Sequence, residues 1–222
     1  MRQMILELAP VPQPTLDNFF PGRNGAALAA LRAALRGEER ALYLWGPAGA
    51  GKTHLLHAFV HGARAVGRRA AYAAAAQFEA AMPLDALAAD DVDRLDIVGQ
   101  LGAFDAYNAM QPLRGILVAA GDRPPVALPL REDLRTRIGS GLVVQVHPLT
   151  DEEKRAALVQ HADARGLKLP EDVLSYLLSH HARDMGSLVA LVEALDRYSL
   201  QTRRAVTLPL LREALRHPED GP

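Results

Sequence analysis

Residues 41–55 read ALYLWGPAGAGKTHL, and this stretch decides the fold. The run 41–45 is short, apolar and bounded by a glycine, which predicts a buried strand. Residues 46–53, GPAGAGKT, match the spacing G-x-x-x-x-G-K-[ST] without a gap. A helix is predicted over 52–66, ended by Gly67. A strand, a glycine-rich turn and a helix therefore follow one another directly, which is the structural context that this spacing requires.

The glycine-rich turn predicts a phosphate-binding loop. Its small residues let the backbone wrap closely around phosphate with its N–H groups pointing inward, and the start of the helix adds a partial positive charge. Lys52 is expected to reach the β- and γ-phosphates, and the Thr53 hydroxyl to bind Mg²⁺. The cofactors implied are ADP or ATP with Mg²⁺; the alternative is a turn that binds no ligand. The expected nucleotide-binding residues are Gly46, Pro47, Ala48, Gly49, Ala50, Gly51, Lys52, Thr53 and the following His54.

A phosphate-binding loop also needs an acidic residue at the end of a neighbouring strand. Asp90 and Asp91 follow the apolar run 87–89 and are the best candidates. Asp90 would hold the Mg²⁺ ion with its water shell, and Asp91 would orient or deprotonate the attacking water. The alternative is a solvated loop that is rich in aspartate. Histidines at 54, 57 and 61 share one helical face, and packing or solvent exposure is favoured over a metal site for them.

The rest of the chain changes character near residue 149. Before it, strands are predicted at 69–73, 84–89, 115–120 and 142–146, with helices at 26–36, 96–110 and 132–138. Alternating strands and helices indicate a parallel sheet covered on both faces. From 150 onward only helices are predicted, and the first starts with the capping box TDEE. The expected fold class is α/β, a parallel sheet with helices on both faces followed by a small all-helical lid domain. The expected domains are an extended tail over 1–14, a nucleotide-binding domain over 15–149 and the lid over 150–222.

Composition narrows the classes of function. The chain has 222 residues, with 25 basic and 26 acidic side chains and a net charge of −1. That balance argues against strong direct binding to duplex DNA, which needs clustered basic residues. There is no cysteine, which excludes disulfides and cysteine metal sites. Because neither a membrane span nor a secretory signal is recognisable, the expected location is cytoplasmic.

These motifs together resemble the AAA+ core of the DnaA family of bacterial replication initiators. The resemblance rests on residues 46–55, the Asp90-Asp91 pair, GDRPP at 121–125 and LRTR at 134–137, and it runs from about residue 15 to 216. The segment TLDNFFPGRN at 15–24 resembles the part of that family that lies beside the adenine base, which nominates Phe20.

The N-terminal tail adds a second feature. Residues 3–8, QMILEL, are similar to a short peptide that binds the sliding clamp of DNA polymerase, with Gln3 for a polar pocket and Met4, Leu6 and Leu8 for an apolar groove. The alternative is a strand that docks on the core of the same chain. The chain ends at Pro222 without the initiator's DNA-reading domain, and this layout resembles the Hda family, DnaA homologues that inactivate the initiator after replication starts.

The resemblance implies roles for further residues. Asp122 falls where the family has a polar sensor of the γ-phosphate, and Arg137 where it has an arginine finger that reaches the nucleotide of a neighbouring subunit. The alternative for Arg137 is a surface ion pair with Glu132 or Asp133. At the lid position where the family has a sensor arginine, this chain has Gly186.

The function implied is regulatory inactivation. An ADP-bound protein on the DNA-loaded clamp would promote hydrolysis of ATP held by DnaA and thereby limit initiation. Its own ATPase activity is expected to be weak, because of Gly186 and because Asp91 is shorter than the glutamate of many AAA+ ATPases. The rivals are an autonomous ATPase, such as a helicase loader or remodeller, and a clamp-tethered adaptor with another target. Homodimerisation is left open, and no membrane partner is expected.

Overall fold

A computed structural model of the chain describes residues 13–75, 84–180 and 184–216. They belong to two compact units, one formed by Gln13–Pro148 and the other beginning at Leu149. Within the described ranges, no helix is both long enough and apolar enough to cross a membrane.

The first unit is built on a parallel sheet of five strands in the order β2-β3-β4-β1-β5. Nearly every residue of β1, β3 and β4 is apolar, as expected for strands covered on both faces. The predicted α/β fold class is therefore confirmed. The strands are β1 Ala41–Trp45, β2 Ala70–Ala74, β3 Ala86–Asp90, β4 Ile116–Gly121 and β5 Leu142–Gln145.

Helices cover both faces of this sheet. One face carries α1 Gly25–Arg36 and α2 Lys52–Ala65, with Leu31 and Phe59 fully buried. The other carries α3 Ile97–Met110 and α4 Glu132–Gly139, with Tyr43 and Leu134 buried between the layers. Two short 3-10 helices, Val92–Arg94 and Pro125–Ala127, follow β3 and β4.

The second unit is helical throughout its described residues, as predicted. Its helices are α5 Asp151–Ala164, α6 Glu171–His180, α7 Met185–Thr202 and α8 Leu208–Arg216. The predicted capping box is present at the start of α5, where Thr150 and Glu153 bond each other's backbone N–H groups. Leucines from all four helices form one core, among them Leu158, Leu174, Leu188 and Leu210.

The largest local difference from the sequence prediction concerns β3. The sequence predicts a strand over 84–89, whereas the strand starts at Ala86 and includes Asp90. A carboxylate can end a strand that is buried along its whole length because donors from two other elements satisfy its oxygens.

Candidate nucleotide-binding site

The glycine-rich loop joins the carboxyl end of β1 to the start of α2. Two of its glycines are required by geometry. A Cβ on Gly46 would lie 2.0 Å from the carbonyl oxygen of Val146. Gly51 has φ +95, and a Cβ there would lie 2.8 Å from Cε2 of Phe19. The loop therefore runs close to its neighbours and turns directly into a helix whose free N–H groups favour an anion.

Lys52 places a buried positive charge at this loop. The residue is 6% exposed, and its ammonium group donates to the carbonyl oxygens of Gly46 at 2.6 Å and Pro47 at 3.1 Å. It also donates to Oδ1 of Asp122 at 2.8 Å. That hydrogen bond is the main reason that the pKa of Asp122 lies below its ordinary value. Two predicted site residues that are 70 positions apart thus meet at the ends of neighbouring strands.

Thr53 and Asp90 also meet. The Thr53 hydroxyl donates to Oδ2 of Asp90 at 2.6 Å, and Asp90 is 3% exposed. A hydroxyl and a carboxylate are oxygen ligands of the kind that Mg²⁺ prefers. In the described residues, no group of three His, Cys, Asp or Glu side chains could hold a metal by itself. The pair therefore fits a cation whose remaining ligands come from phosphate and water.

Asp91 occupies a different position from Asp90. Its backbone is left-handed, with φ 50, and its Oδ2 lies 3.5 Å from a guanidinium nitrogen of Arg94. Burial and then the neighbouring charge of Asp90 raise the pKa of Asp91. Arg94 also approaches the second oxygen of Asp122 at 4.0 Å, and Asp93 accepts a hydrogen bond from the Asp122 backbone at 3.2 Å. Sequence reasoning missed Arg94 and Asp93, although their position directly after the aspartate pair was a usable signal.

The segment before α1 lies against the first turn of α2. Nε2 of His54 is 3.2 Å from the carbonyl oxygen of Thr15, and its ring centroid is 5.5 Å from that of Phe19. Burial lowers the pKa of His54. The aromatic ring against Gly51 belongs to Phe19. The nominated Phe20 follows it directly in the sequence, and both residues are half-buried. The nomination of Phe20 as a residue beside the base stays a prediction that rests on the resemblance.

Arg137 lies on α4, and its contacts are aromatic. Its guanidinium carbon is 4.6 Å from the ring centroid of Phe104 and 5.1 Å from that of Tyr107, both on α3. The alternative of an ion pair with Glu132 or Asp133 is wrong within the described residues, where Asp133 accepts from Arg131 at 2.8 Å instead.

The remaining predicted residues belong to the N-terminal tail and to the helical lid. The residues Gln3, Met4, Leu6 and Leu8 fall outside the described residues. Gly186 is in the first turn of α7, which is capped by Asp184 accepting from Ser187 N at 2.8 Å. A Cβ on Gly186 would be 3.4 Å from Oδ1 of Asp184.

Comparisons with known proteins agree with this geometry. Residues 151–215 match the family model "Hda, lid domain". The chain is 25% identical to AMPPCP-bound DnaA from Aquifex aeolicus, with a TM-score of 0.70, covering 88% of this chain and 68% of that one. It is 25% identical to a structure described as a DNA replication initiation factor, with a TM-score of 0.69, covering 86% of this chain and 66% of that one. Domain III of Thermotoga maritima DnaA shares the fold, with 24% identity, a TM-score of 0.73 and coverage of 96% and 100%.

The parallel sheet, its glycine-rich loop and the helical lid define an AAA+ protein. Within that class, the chain is similar to DnaA over most of its length and to Hda over residues 151–215.

Proposed function

We propose that this protein is a nucleotide-bound regulator of bacterial DNA replication that inactivates DnaA. With ADP in its own site, it sits on the DNA-loaded sliding clamp and promotes hydrolysis of ATP held by DnaA, which limits initiation. The homology to DnaA and the Hda-type lid support a DnaA-related replication regulator. AMPPCP in the Aquifex aeolicus DnaA structure supports an adenine nucleotide as the ligand of this fold.

The nucleotide has a structural role in this proposal. The loop amides and Lys52 hold the phosphates, and Thr53 with Asp90 serves Mg²⁺. Because Lys52 already donates to Asp122, the end of β4 senses whatever charge enters the loop. Phe19 and His54 supply an aromatic and a polar group on the side of α2 nearest the N-terminal segment, where the base would lie.

The surroundings of Arg137 are the observation that carries the proposal. In the part of the chain that the structure describes, no carboxylate lies within 4.0 Å of its guanidinium nitrogens. Two aromatic rings hold it instead, and stacking on a ring leaves the positive charge and the N–H donors available. Arg137 also lines an open depression along α4, together with Arg131, Glu132, Asp133 and Thr136. A preoriented cation of this kind accelerates phosphoryl transfer by about 10³- to 10⁵-fold when supplied in trans.

Weak turnover of its own nucleotide belongs to the same proposal. Asp91, which would orient the attacking water, is shorter than the glutamate of many AAA+ ATPases, and Arg94 lies 3.5 Å from its carboxylate. Gly186 brings no side chain to the lid position where DnaA relatives are expected to have a sensor arginine. The protein would therefore retain ADP and act on the site of its partner.

Reconstituted hydrolysis of ATP bound to DnaA, measured with and without a DNA-loaded clamp, tests the proposal. Arg137→Ala should abolish the stimulation, while nucleotide binding and clamp binding persist. Arg131→Ala, a nearby arginine that is ion-paired to Asp133, is the matched control and should leave stimulation near the level of the unmodified protein. Gln3→Ala should weaken capture by the clamp without changing ADP affinity.

Two outcomes would replace the proposal with another function. Rapid ATP turnover by the protein alone, lost in Lys52→Ala, would identify an autonomous ATPase. Full stimulation by Arg137→Ala would indicate a clamp-tethered adaptor whose target or mechanism is different.

A further inference from the structure

Tyr72 belongs to none of the sequence motifs, yet its side chain reaches the expected cation site. Tyr72 lies on β2, which pairs with β3, and its hydroxyl donates to Oδ2 of Asp90 at 2.9 Å. The same oxygen accepts the Thr53 hydroxyl, and Oδ1 accepts the backbone N–H of Asp91 at 3.0 Å. Three donors therefore hold this nearly buried carboxylate, and each comes from a different part of the fold.

The Tyr72 ring is itself held in place. His57 lies one turn after Thr53 on α2, and its ring stacks on that of Tyr72 with centroids 4.1 Å apart and planes 22° apart. An ionised carboxylate can only accept, so in this hydrogen bond the Tyr72 hydroxyl is the donor. The stack fixes the direction from which this proton reaches Asp90.

We propose that Tyr72 is a positioning residue for the divalent cation, holding the Asp90 carboxylate in place through its hydroxyl while His57 supports its ring. This inference rests on the proposed nucleotide binding. A carboxylate that serves a metal is commonly oriented by a donor that does not touch the metal, and loss of such a donor typically costs about 10- to 100-fold in metal affinity. Thr53 cannot do this alone, because its hydroxyl is expected to turn toward the cation.

The test is calorimetric titration of ADP into the full chain over a range of Mg²⁺ concentrations and in EDTA. Tyr72→Phe keeps the ring and removes only the hydroxyl. The Mg²⁺ concentration that gives half of the Mg²⁺-dependent gain in ADP affinity should rise about 10- to 100-fold. Affinity in EDTA should change by less than about twofold, because the phosphate loop is untouched.

Tyr198→Phe is the matched control, since it removes a hydroxyl that donates to the Glu213 carboxylate at 3.0 Å in the lid unit. It should leave both affinities unchanged. His57→Ala keeps the Tyr72 hydroxyl but removes the stack, and it should shift the Mg²⁺ requirement in the same direction by a smaller factor. If Tyr72→Phe fails to fold, the Mg²⁺ requirement of ADP binding by His57→Ala tests the inference instead.

An unchanged Mg²⁺ requirement in a folded Tyr72→Phe protein would overturn the inference while leaving nucleotide binding intact. So would ADP binding by the unmodified protein that is indifferent to Mg²⁺. Failure of the unmodified protein to bind ADP in any condition would instead overturn the proposed function.

Discussion

Substitution of Gly51 by alanine tests the geometry of the phosphate loop. At φ +95 a side chain strains the backbone, which costs about 1–2 kcal/mol. The new Cβ would also lie 2.8 Å from Cε2 of Phe19, so the ring has to move. Because Phe19 is only half-buried, we expect this movement to add about 1 kcal/mol, at the lower end of the cost of overpacking. The expected loss for Gly51→Ala is therefore about 2–3 kcal/mol of unfolding free energy.

Gly49 in the same loop is the control. It has φ +78, but no atom lies within 4 Å of the position of an added Cβ. Gly49→Ala should carry only the backbone strain, about 1–2 kcal/mol. In a Phe19→Ala background, Gly51→Ala should cost no more than Gly49→Ala does, because the clashing ring is gone.

Urea unfolding followed by tryptophan fluorescence is a suitable assay. Trp45 is the single tryptophan of the chain and lies at the end of β1, directly before the loop, so the signal reports the first unit. Equal losses for Gly49→Ala and Gly51→Ala, or additive effects of Phe19→Ala and Gly51→Ala, would refute the placement of Phe19 against the loop.

Two further predictions concern contacts that hold this unit together. The lowered pKa of Asp122 means that its ion pair with Lys52 stabilises the fold above the ordinary value of 3.8 and is lost as the pH falls below it. Asp122→Asn should therefore cost about 1 kcal/mol at pH 7 in urea unfolding, and the difference from the unmodified protein should shrink by pH 3; a constant difference would contradict this. Asn24 is 1% exposed and exchanges two hydrogen bonds with the backbone of His147, at 2.7 and 2.8 Å. Asn24→Ala should cost about 2–3 kcal/mol in the same assay, and equal loss in Asn18→Ala, whose bonds are exposed, would count against it.

Local patterns were sufficient for most of the architecture. The run 41–53 specified a strand, a phosphate loop and a helix, because apolar runs, glycine spacing and helix ends act over only a few residues. The capping box at Thr150 and the glycine after α1 marked helix ends for the same reason. The bounds predicted for β3, 84–89, differ from the observed Ala86–Asp90, because alanines carry little β propensity and burial between two layers makes them a strand.

The partners of the site residues depended on the tertiary structure. Sequence spacing identified Lys52 and Asp90 as candidates, and the resemblance to DnaA nominated Asp122. The hydrogen bonds of Asp90 to Tyr72 and of Lys52 to Asp122 depend on which strands are neighbours and in what register. The stack of Arg137 on two rings of α3 likewise required the packing of two helices that are separate in sequence. A single sequence therefore determined the elements and the phosphate loop, because these depend on short-range backbone preferences. Folding alone decided which charged and aromatic side chains meet, because a parallel sheet brings together the ends of strands that are far apart along the chain.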